Sequence, residues 1–343
     1  MTEAFVPMNS AEYAGSGKAG LPRTETETFV PEGELLDTPE NRAATADMCA
    51  LRAAAEEGRI LEACCVLCDC PTMELTVEFS GGMRGVIPHE EVCWTRDGSL
   101  PRDIAVITRV GKPVQVRVTE FRNGPRGIPI AVCSRKSVQR DCAETFLSRL
   151  MPGDLIPARV THLEPFGAFC DVGAGIAALL PVDRVSVSRV SHPADRFRVG
   201  ERIRTAVLSK TEDGRIYLTH REFLGTWEQN AALFSAGQTV RGIIRSVEDY
   251  GVFIELAPNL AGLAEPSPEA LPGRRCSVYI KSILPERMKI KLVLIDVGEP
   301  ASPAPGRLFP LSDVIEGTPP RLLRWRYSPE GCGKLITTVF EEE

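Results

Sequence analysis

The sequence contains little of what marks a membrane protein, a secreted protein or an enzyme. No apolar run approaches the roughly eighteen residues that a membrane-spanning helix needs. The first residues show no basic region followed by an apolar block, so no signal peptide is predicted and a cytoplasmic location is expected. The 4 histidines are scattered without the spacing of catalytic or metal-binding groups. We therefore expect no enzymatic activity and no membrane association.

Aromatic residues make up only 6% of the chain, and the formal net charge is −6, which is unusual for a nucleic-acid-binding protein. Residues 1–40 hold eight acidic and two basic residues, and this excess of negative charge accounts for the whole net charge of −6. The rest of the chain is neutral overall, with basic strips at residues 102–140 and 274–291. Such a distribution is compatible with binding a polyanion.

An internal repeat is the main feature that the chain does contain. Residues 153–172 (GDLIPARVTHLEPFGAFCDV) match residues 237–256 (GQTVRGIIRSVEDYGVFIEL) at a constant offset. A weaker first copy opens at Gly58 and ends at residues 128–136 (IPIAVCSRK). Each copy shows short strand-like segments, loosely alternating between apolar and polar residues, that glycines interrupt. Five such strands with one longer crossover predict a small closed barrel, because closure removes exposed strand edges.

The repeats predict an all-β chain of three tandem five-stranded barrels joined by short helical linkers. The predicted bounds are a disordered acidic arm (1–38), a helix (39–57), a degenerate first barrel (58–136), a linker helix (137–150), a second barrel (151–221), a linker helix (222–234), a third barrel (235–297) and a C-terminal extension (298–343). The arm is assigned as disordered because it is acidic and has no periodic apolar pattern.

Two aromatic residues flank a glycine in each of the stronger repeats: Phe166 and Phe169 in one, Tyr250 and Phe253 in the other. Bases of single-stranded RNA stack on exposed rings while a basic groove follows the phosphates. The alternative is that the rings belong to the core, where aromatic strand residues are more often found. Surface stacking is preferred, because FCDV and FIEL already supply core positions. A bulge at the glycine would bring both rings to one face.

These motifs resemble the S1-type RNA-binding domain, named after the large mRNA-binding protein of the bacterial small ribosomal subunit. The resemblance rests on the pattern G-x(12)-[FY]-G-x-F-x-[DE]-[VL], a V-G turn and a closing R-I-x-L strand. It covers residues 58–297, most clearly the second and third repeats. It implies an OB fold for each barrel and single-stranded RNA, including mRNA, as the ligand. The layout is similar to short homologues of Gram-positive bacteria, which implies a role in translation on or near the small ribosomal subunit.

The resemblance also implies roles for residues beside the aromatic pairs. Arg215 and Lys289 occupy the position of the family's arginine at the last turn. Pro181 and Glu265 replace the family's histidine in the second and third repeats, so the affinity of each repeat is expected to be reduced. His162 and Arg159 are the candidates that could substitute for that histidine.

The first repeat lacks the aromatic pair and has Thr76 where Phe169 would fall. Its basic strip could contact phosphate, form a solvated face, or dock on a ribosomal protein, and the sequence leaves these alternatives open. The strip consists of Arg109, Lys112, Arg117, Arg122, Arg126, Arg135 and Lys136.

Four of the 11 cysteines lie together in the first repeat, at Cys64, Cys65, Cys68 and Cys70. Cys65 and Cys68 have the spacing of zinc ligands, but no second C-x-x-C motif accompanies them. The cluster lies where the first repeat needs its opening strand, so buried thiols are preferred and no cofactor is predicted. A metal-dependent or redox role remains an alternative.

Two further alternatives concern the C-terminal extension and the function of the whole chain. Trp325, between two arginines, could stack RNA or dock on the ribosome, or it could simply pack on the third barrel. The chain itself could be a protein-interaction scaffold that docks on ribosomal or RNA-degradation machinery. That alternative predicts binding that does not depend on the aromatic pairs.

Overall fold

The computed structural model describes residues 29–124, 127–302, 306–317 and 319–340. Along them the chain forms three closed five-stranded β-barrels in succession, with short helices between them. The predicted all-β fold of three tandem OB-type barrels is therefore confirmed. Among these described residues, no helix is both long enough and apolar enough to cross a membrane.

All three barrels share one strand order. The first contains β1 (Leu61–Asp69), β2 (Glu74–Glu78), β3 (Arg84–Ile87), β4 (Pro113–Asn123) and β5 (Pro129–Ser134). The second contains β6 (Leu155–Glu164), β7 (Gly167–Asp171), β8 (Ala177–Pro181), β9 (Arg202–Lys210) and β10 (Ile216–Thr219). The third contains β11 (Thr239–Glu248), β12 (Gly251–Ala257), β13 (Leu260–Ala264), β14 (Arg274–Leu284) and β15 (Lys289–Pro300). In each barrel the third and fifth strands pair in parallel and the other neighbours are antiparallel, which is the OB pattern.

Each barrel has its own hydrophobic core, because alternate residues of a strand point to opposite faces. Inward residues come from all five strands of a barrel and from the helix or extension that closes its open end. Fully buried examples are Leu61 and Leu75 in the first core, Leu180 and Leu218 in the second, and Ile254 and Leu260 in the third.

The segment before the first barrel forms two helices, α1 (Pro39–Ala44) and α2 (Met48–Glu56), rather than the single helix predicted for residues 39–57. The interruption has a local cause. The side chain of Asp47 accepts a hydrogen bond from a backbone N–H of the next turn (2.8 Å) and so caps a second helix. Thr38 caps α1 in the same way.

The remaining helices are short. They are α3 (Asp103–Ile107), α4 (Arg135–Asp141), α5 (Val182–Val185) and α6 (Trp227–Ala231). In the first linker, α4 continues into a π-helical turn and a 3₁₀ turn that end at Arg149. In the second linker, a 3₁₀ turn at Arg221–Leu224 precedes α6.

The structure describes only the last ten residues of the predicted disordered arm. Residues 1–28 lie outside the described residues, whereas residues 29–38 are ordered and connect the first two barrels. Glu32 is buried, and its carboxylate accepts hydrogen bonds from Arg135 Nε (2.6 Å) and Nη2 (2.9 Å). The backbone N–H of Glu32 donates to Asp171 of the second barrel (2.7 Å). Disorder was the wrong prediction for residues 29–38, because Glu32 supplies the counter-charge that the buried Arg135 requires.

Asn259 connects the second barrel to the third. It is fully buried, and its side-chain oxygen accepts a hydrogen bond from Val187 N of the second barrel (2.9 Å). Its amide nitrogen donates to the carbonyl oxygens of Arg221 and Gly225 in the linker (both 2.8 Å). Its own carbonyl oxygen accepts from the hydroxyl of Tyr327 in the C-terminal extension. One side chain and its backbone thus join four parts of the chain.

The C-terminal extension packs on the third barrel. It contributes two short strand pairs, β16 (Val314–Ile315) with β17 (Arg321–Leu322) and β18 (Arg324–Arg326) with β19 (Thr337–Val339). Trp325 is only 5% exposed and belongs to the core cluster of the third barrel, so the packing alternative describes its position.

Candidate nucleic-acid interface

The two aromatic pairs have the same geometry in the second and third barrels. The ring centroids of Phe166 and Phe169 lie 6.0 Å apart at an interplanar angle of 88°. Tyr250 and Phe253 show the same distance and the same angle. In each pair the first ring is the more open one, with Phe166 55% and Tyr250 68% exposed. The pairs are therefore surface features, and the core alternative does not describe them.

Strand alternation explains why the second ring of each pair faces outward. Ala168 and Cys170 lie in the core on either side of Phe169, which therefore points to the opposite face of β7. Val252 and Ile254 hold Phe253 outward on β12 by the same alternation.

The glycine within each motif does not form the bulge that the sequence predicts there. A Cβ on Gly167 would lie 2.5 Å from the carbonyl oxygen of Leu180, and one on Gly251 would lie 2.6 Å from that of Ala264. Glycine is thus required because the neighbouring strand approaches closely. The register shift lies instead on the facing strand, between Val160 and His162 in the second barrel. The equivalent shift in the third barrel is also on the facing strand.

Cross-strand pairing extends each aromatic pair into a row. Phe169 pairs with Leu179 on β8, and Leu179 pairs with Tyr217 on β10. Tyr217 is half-buried and lies between two core residues, so it faces outward like Phe169. Tyr217 is not among the residues predicted from the sequence, although its place between Ile216 and Leu218 in an alternating strand indicates an outward position. We call the outward residues Phe166, Phe169, Leu179 and Tyr217 the second-barrel face.

The third barrel has a matching row with different chemistry. Phe253 pairs with Leu263, and Leu263 pairs with Lys291. The exposed Lys291 thus takes the place of Tyr217 and was also missed. We call Tyr250, Phe253, Leu263 and Lys291 the third-barrel face.

His162 lies beside the second-barrel face. It pairs with Phe169 across β6 and β7, and the two ring centroids are 6.5 Å apart. Its Nε2 donates to the carboxylate of Glu164 (2.7 Å), which orients the imidazole. The structure therefore brings His162 together with the aromatic pair.

Lys289 is the first residue of β15, and Arg215 directly precedes β10. Each precedes by two residues the outward residue of its face, Tyr217 or Lys291, and so lies on the same side of the strand. Arg215 is 77% exposed on its side chain and pairs with Asp213 at 3.0 Å. An exposed pair of this kind is worth only about 0–1 kcal/mol, so the guanidinium can exchange its partner for a phosphate.

Arg159 occupies another environment. Its Nη1 donates to the carbonyl oxygen of Glu32 (3.2 Å), and it lines a pocket of about 230 Å³ between the first two barrels. Arg109 and Lys112 line the same pocket. Burial, together with the Glu32 carboxylate, raises the pKa of Asp171 in this pocket to about 7.

The residues at the family's histidine position differ in exposure. Pro181 is half-buried and pairs with Gly167, whereas Glu265 is exposed just beyond β13. A carboxylate beside Tyr250 disfavours phosphate at that point. The third-barrel face is therefore expected to attract phosphate groups less than the second-barrel face does.

In the first barrel, Thr76 pairs with Leu67 and Val86, and Val86 pairs with Val132. Among the described residues of this barrel, the row that corresponds to the aromatic pairs thus holds a threonine and aliphatic side chains but no aromatic ring.

Most of the first barrel's basic strip is paired with carboxylates. Arg135 bonds to Glu32, Arg117 to Asp141, and Arg122 to Glu74 at 2.9 Å. Arg109 and Lys136 have carboxylates at 3.8 Å and 4.0 Å, while Arg126 lies outside the described residues. These four carboxylates reduce the positive charge that the strip offers to phosphates.

The cysteine cluster does not converge on one point. Cys65 lies in the core of the first barrel, whereas its neighbour Cys64 points to the other face of β1. Burial raises the pKa of the Cys65 thiol to about 11, which keeps it protonated at neutral pH. Within the described parts of the chain, no group of three or more His, Cys, Asp or Glu residues is arranged to hold a metal ion.

Residues 149–221, which form the second barrel, match the family model of the S1 RNA binding domain. The second barrel is thus similar to S1 RNA binding domains, and the other two barrels share its strand order. Parts of the chain are also similar to the small ribosomal subunit proteins bS1. It is 32% identical over 179 residues to bS1 of Leuconostoc lactis, which covers 47% of this chain and 41% of that protein. It is 29% identical over 192 residues to the bS1 homolog of Bacillus subtilis, which covers 55% of this chain and 49% of that protein.

The chain thus spans less than half the length of these two relatives. It is also 27% identical over 206 residues to 4-hydroxy-3-methylbut-2-enyl diphosphate reductase of Clostridium acetobutylicum, which covers 55% of this chain and 32% of that enzyme. Because the match covers only a third of the enzyme, it does not support a reductase activity for this chain.

Proposed function

We propose that this protein binds single-stranded RNA, mRNA included, through the second-barrel and third-barrel faces. The observation that supports the proposal most strongly is the repeated geometry of Phe166 with Phe169 and of Tyr250 with Phe253. Exposed rings held at a fixed spacing are suited to stacked bases, and each stack is worth about 1–3 kcal/mol. The protein acts by binding and not by catalysis.

The polar residues around the faces have distinct roles in this proposal. Arg215 and Lys289 contact the phosphates of the strand that crosses each face. His162 adds a third ring beside Phe169. Arg159, which is bonded to the N-terminal segment, contributes positive potential and no base contact.

The similarity to bS1 proteins supports a place for this binding. We propose that the protein holds RNA near the small ribosomal subunit during translation, in the cytoplasm. Binding is sequence-tolerant, because stacking and phosphate contacts do not distinguish bases strongly. It is also sensitive to salt, because phosphate contacts release counterions.

The test is fluorescence anisotropy with a labelled single-stranded RNA of about twenty nucleotides, beside the matching duplex, at two salt concentrations. We expect preferential binding of the single strand. Combining Phe166→Ala, Phe169→Ala, Tyr250→Ala and Phe253→Ala should lower affinity at least about a hundredfold.

The matched control is Leu335→Ala with Val339→Ala, which removes exposed apolar side chains of the C-terminal extension, outside the two faces. It should leave the affinity unchanged. Absence of RNA binding by the folded wild type at low salt would overturn the proposal. RNA binding that survives the fourfold aromatic variant would show that the faces are not the site. The first of these results would favour a scaffold that docks on ribosomal or RNA-degradation machinery.

A further inference from the structure

A loop of the first barrel reaches the edge of the second-barrel face. The loop follows β3 and carries Trp94 and Arg96, whose guanidinium carbon lies 5.9 Å from the centroid of the indole. The guanidinium of Arg96 occupies the space that a Cβ on Gly214 would fill. Gly214 lies in the turn between β9 and β10, directly before Arg215, so the guanidinium of Arg96 packs against the turn that carries Arg215.

A buried bridge holds this loop in place. The backbone N–H of Trp94 donates to the side-chain oxygen of Gln139 (2.9 Å), and the amide nitrogen of Gln139 donates to the carbonyl oxygen of Ala174 (2.9 Å). Gln139 is 3% exposed and Ala174 lies between β7 and β8. The position of Trp94 is therefore fixed relative to the second barrel.

The loop continues the second-barrel face in one direction. Tyr217 is two residues beyond Arg215 on β10, a distance of about 7 Å along the strand. A strand of RNA that crosses Phe169 and Tyr217 and follows Arg215 reaches Arg96 and then Trp94. Asp97 and Asp213 also lie in these loops, but they accept hydrogen bonds from Ser99 and Thr211.

From this continuity we propose that Trp94 and Arg96 form an additional RNA contact, in which Trp94 stacks a base and Arg96 binds a phosphate. The proposal rests on the RNA-binding function proposed above and extends it. The first barrel, which lacks an aromatic face of its own, thereby contributes to the site of the second barrel.

The other tryptophans make a direct test possible. Trp227 and Trp325 are 2% and 5% exposed, whereas Trp94 is half-buried. Stacking of a base on an indole quenches its emission. We expect RNA to quench the tryptophan emission of the 343-residue chain. Trp94→Phe should abolish most of that quenching while retaining affinity, because phenylalanine still stacks.

Affinity supplies the second readout. Trp94→Leu should weaken binding of the RNA of about twenty nucleotides roughly five- to a hundredfold. Leu100→Ala, an exposed apolar residue of the same loop, should leave it unchanged. Arg96→Gln should make the negative slope of log affinity against log salt concentration less steep by about 1. Arg102→Gln, at an exposed neighbouring arginine, should leave that slope unchanged. Thermal unfolding of each variant excludes loss of the fold.

The outcomes separate this inference from the proposed function. If anisotropy shows RNA binding that the aromatic faces control, but tryptophan emission does not change, the Trp94 contact is wrong and the proposed function stands. Equal loss of affinity in Trp94→Phe and Trp94→Leu would also overturn the stacking role, because it would indicate that Trp94 only positions the loop. If RNA does not bind at all, both proposals fail.

Discussion

Phe169 shows how much of the candidate site a single residue position can predict. Its place in an alternating strand, between two residues of the core, follows from the sequence, and so does its partnership with Phe166. The reason for Gly167 does not, because the carbonyl oxygen of Leu180 that approaches it belongs to another strand. Tyr217 was missed for the same reason: its pairing with Leu179 depends on a parallel contact between distant strands.

His220 gives a prediction at this scale. It is buried between Phe197 and Phe223, with ring centroids 5.2 Å and 5.9 Å away, and its Nδ1 donates to the carbonyl oxygen of Arg204 (2.7 Å). Burial lowers its pKa from 6.5 to about 4. Between these values the unfolded chain binds a proton that the folded chain does not. Stability contributed by the neutral imidazole is therefore lost as pH falls from 6.5 towards 4.

We expect this residue to contribute up to roughly 3 kcal/mol of pH-dependent stability, which His220→Asn removes while keeping a donor near the Nδ1 position. The measurement is hydrogen exchange of second-barrel amides across this pH range, taken as the difference between wild type and variant. The exposed His162→Asn is the control and should show no such difference. A pH dependence that is equal in wild type and His220→Asn would contradict the prediction.

The N-terminal segment marks the limit of prediction at the level of elements. Strands and barrels follow from local alternation and from the repeat. The order of residues 29–38 depends on the pairing of Glu32 with Arg135, which lies 103 residues further along the chain. Composition alone indicates disorder there, because it does not reveal that a buried arginine elsewhere needs this carboxylate. The break between α1 and α2, by contrast, has a local signal in Asp47.

Removing the carboxylate of this segment should destabilise the junction of the first two barrels. Glu32→Ala leaves Arg135 buried and unpaired, and we expect a loss of about 3–5 kcal/mol in the free energy of unfolding. The double change Glu32→Leu with Arg135→Met should recover much of the lost free energy of unfolding, because it leaves no unpaired charge buried. Denaturant unfolding measures both.

The matched control is Asp37→Ala in the same segment. Its partner Arg42 is 60% exposed and Asp37 itself is 85% exposed, so the expected change is below about 1 kcal/mol. Losses of similar size in Glu32→Ala and Asp37→Ala would show that the buried pair is not what orders the segment.

The two faces proposed to bind RNA lie in one chain, so the affinity for RNA should depend on tethering. Once one face is occupied, the other meets the same RNA at an effective concentration of the order of millimolar. We expect an RNA of about twenty nucleotides to bind at least about tenfold more tightly than one of about six, which reaches a single face. Anisotropy with both lengths measures the difference.

The variant Tyr250→Ala with Phe253→Ala serves as the control for tethering. It should weaken binding of the long RNA and leave that of the short RNA much less affected, since the second-barrel face remains. The reciprocal variant, Phe166→Ala with Phe169→Ala, should affect both lengths, because the exposed Glu265 weakens the remaining face. The same advantage of the long RNA in the wild type and in both variants would mean that the faces bind independently.

The joint at Asn259 has a consequence for the order in which the molecule is made. Ribosomal synthesis delivers the chain from its N-terminus, so Val187 emerges first, Asn259 later and Tyr327 last. The second barrel can close as soon as its own five strands are available. The joint becomes complete only when the hydroxyl of Tyr327 reaches the carbonyl oxygen of Asn259. A nascent chain arrested before residue 327 should therefore carry a finished second barrel, while the third barrel still lacks extension residues of its core and the joint lacks its last hydrogen bond.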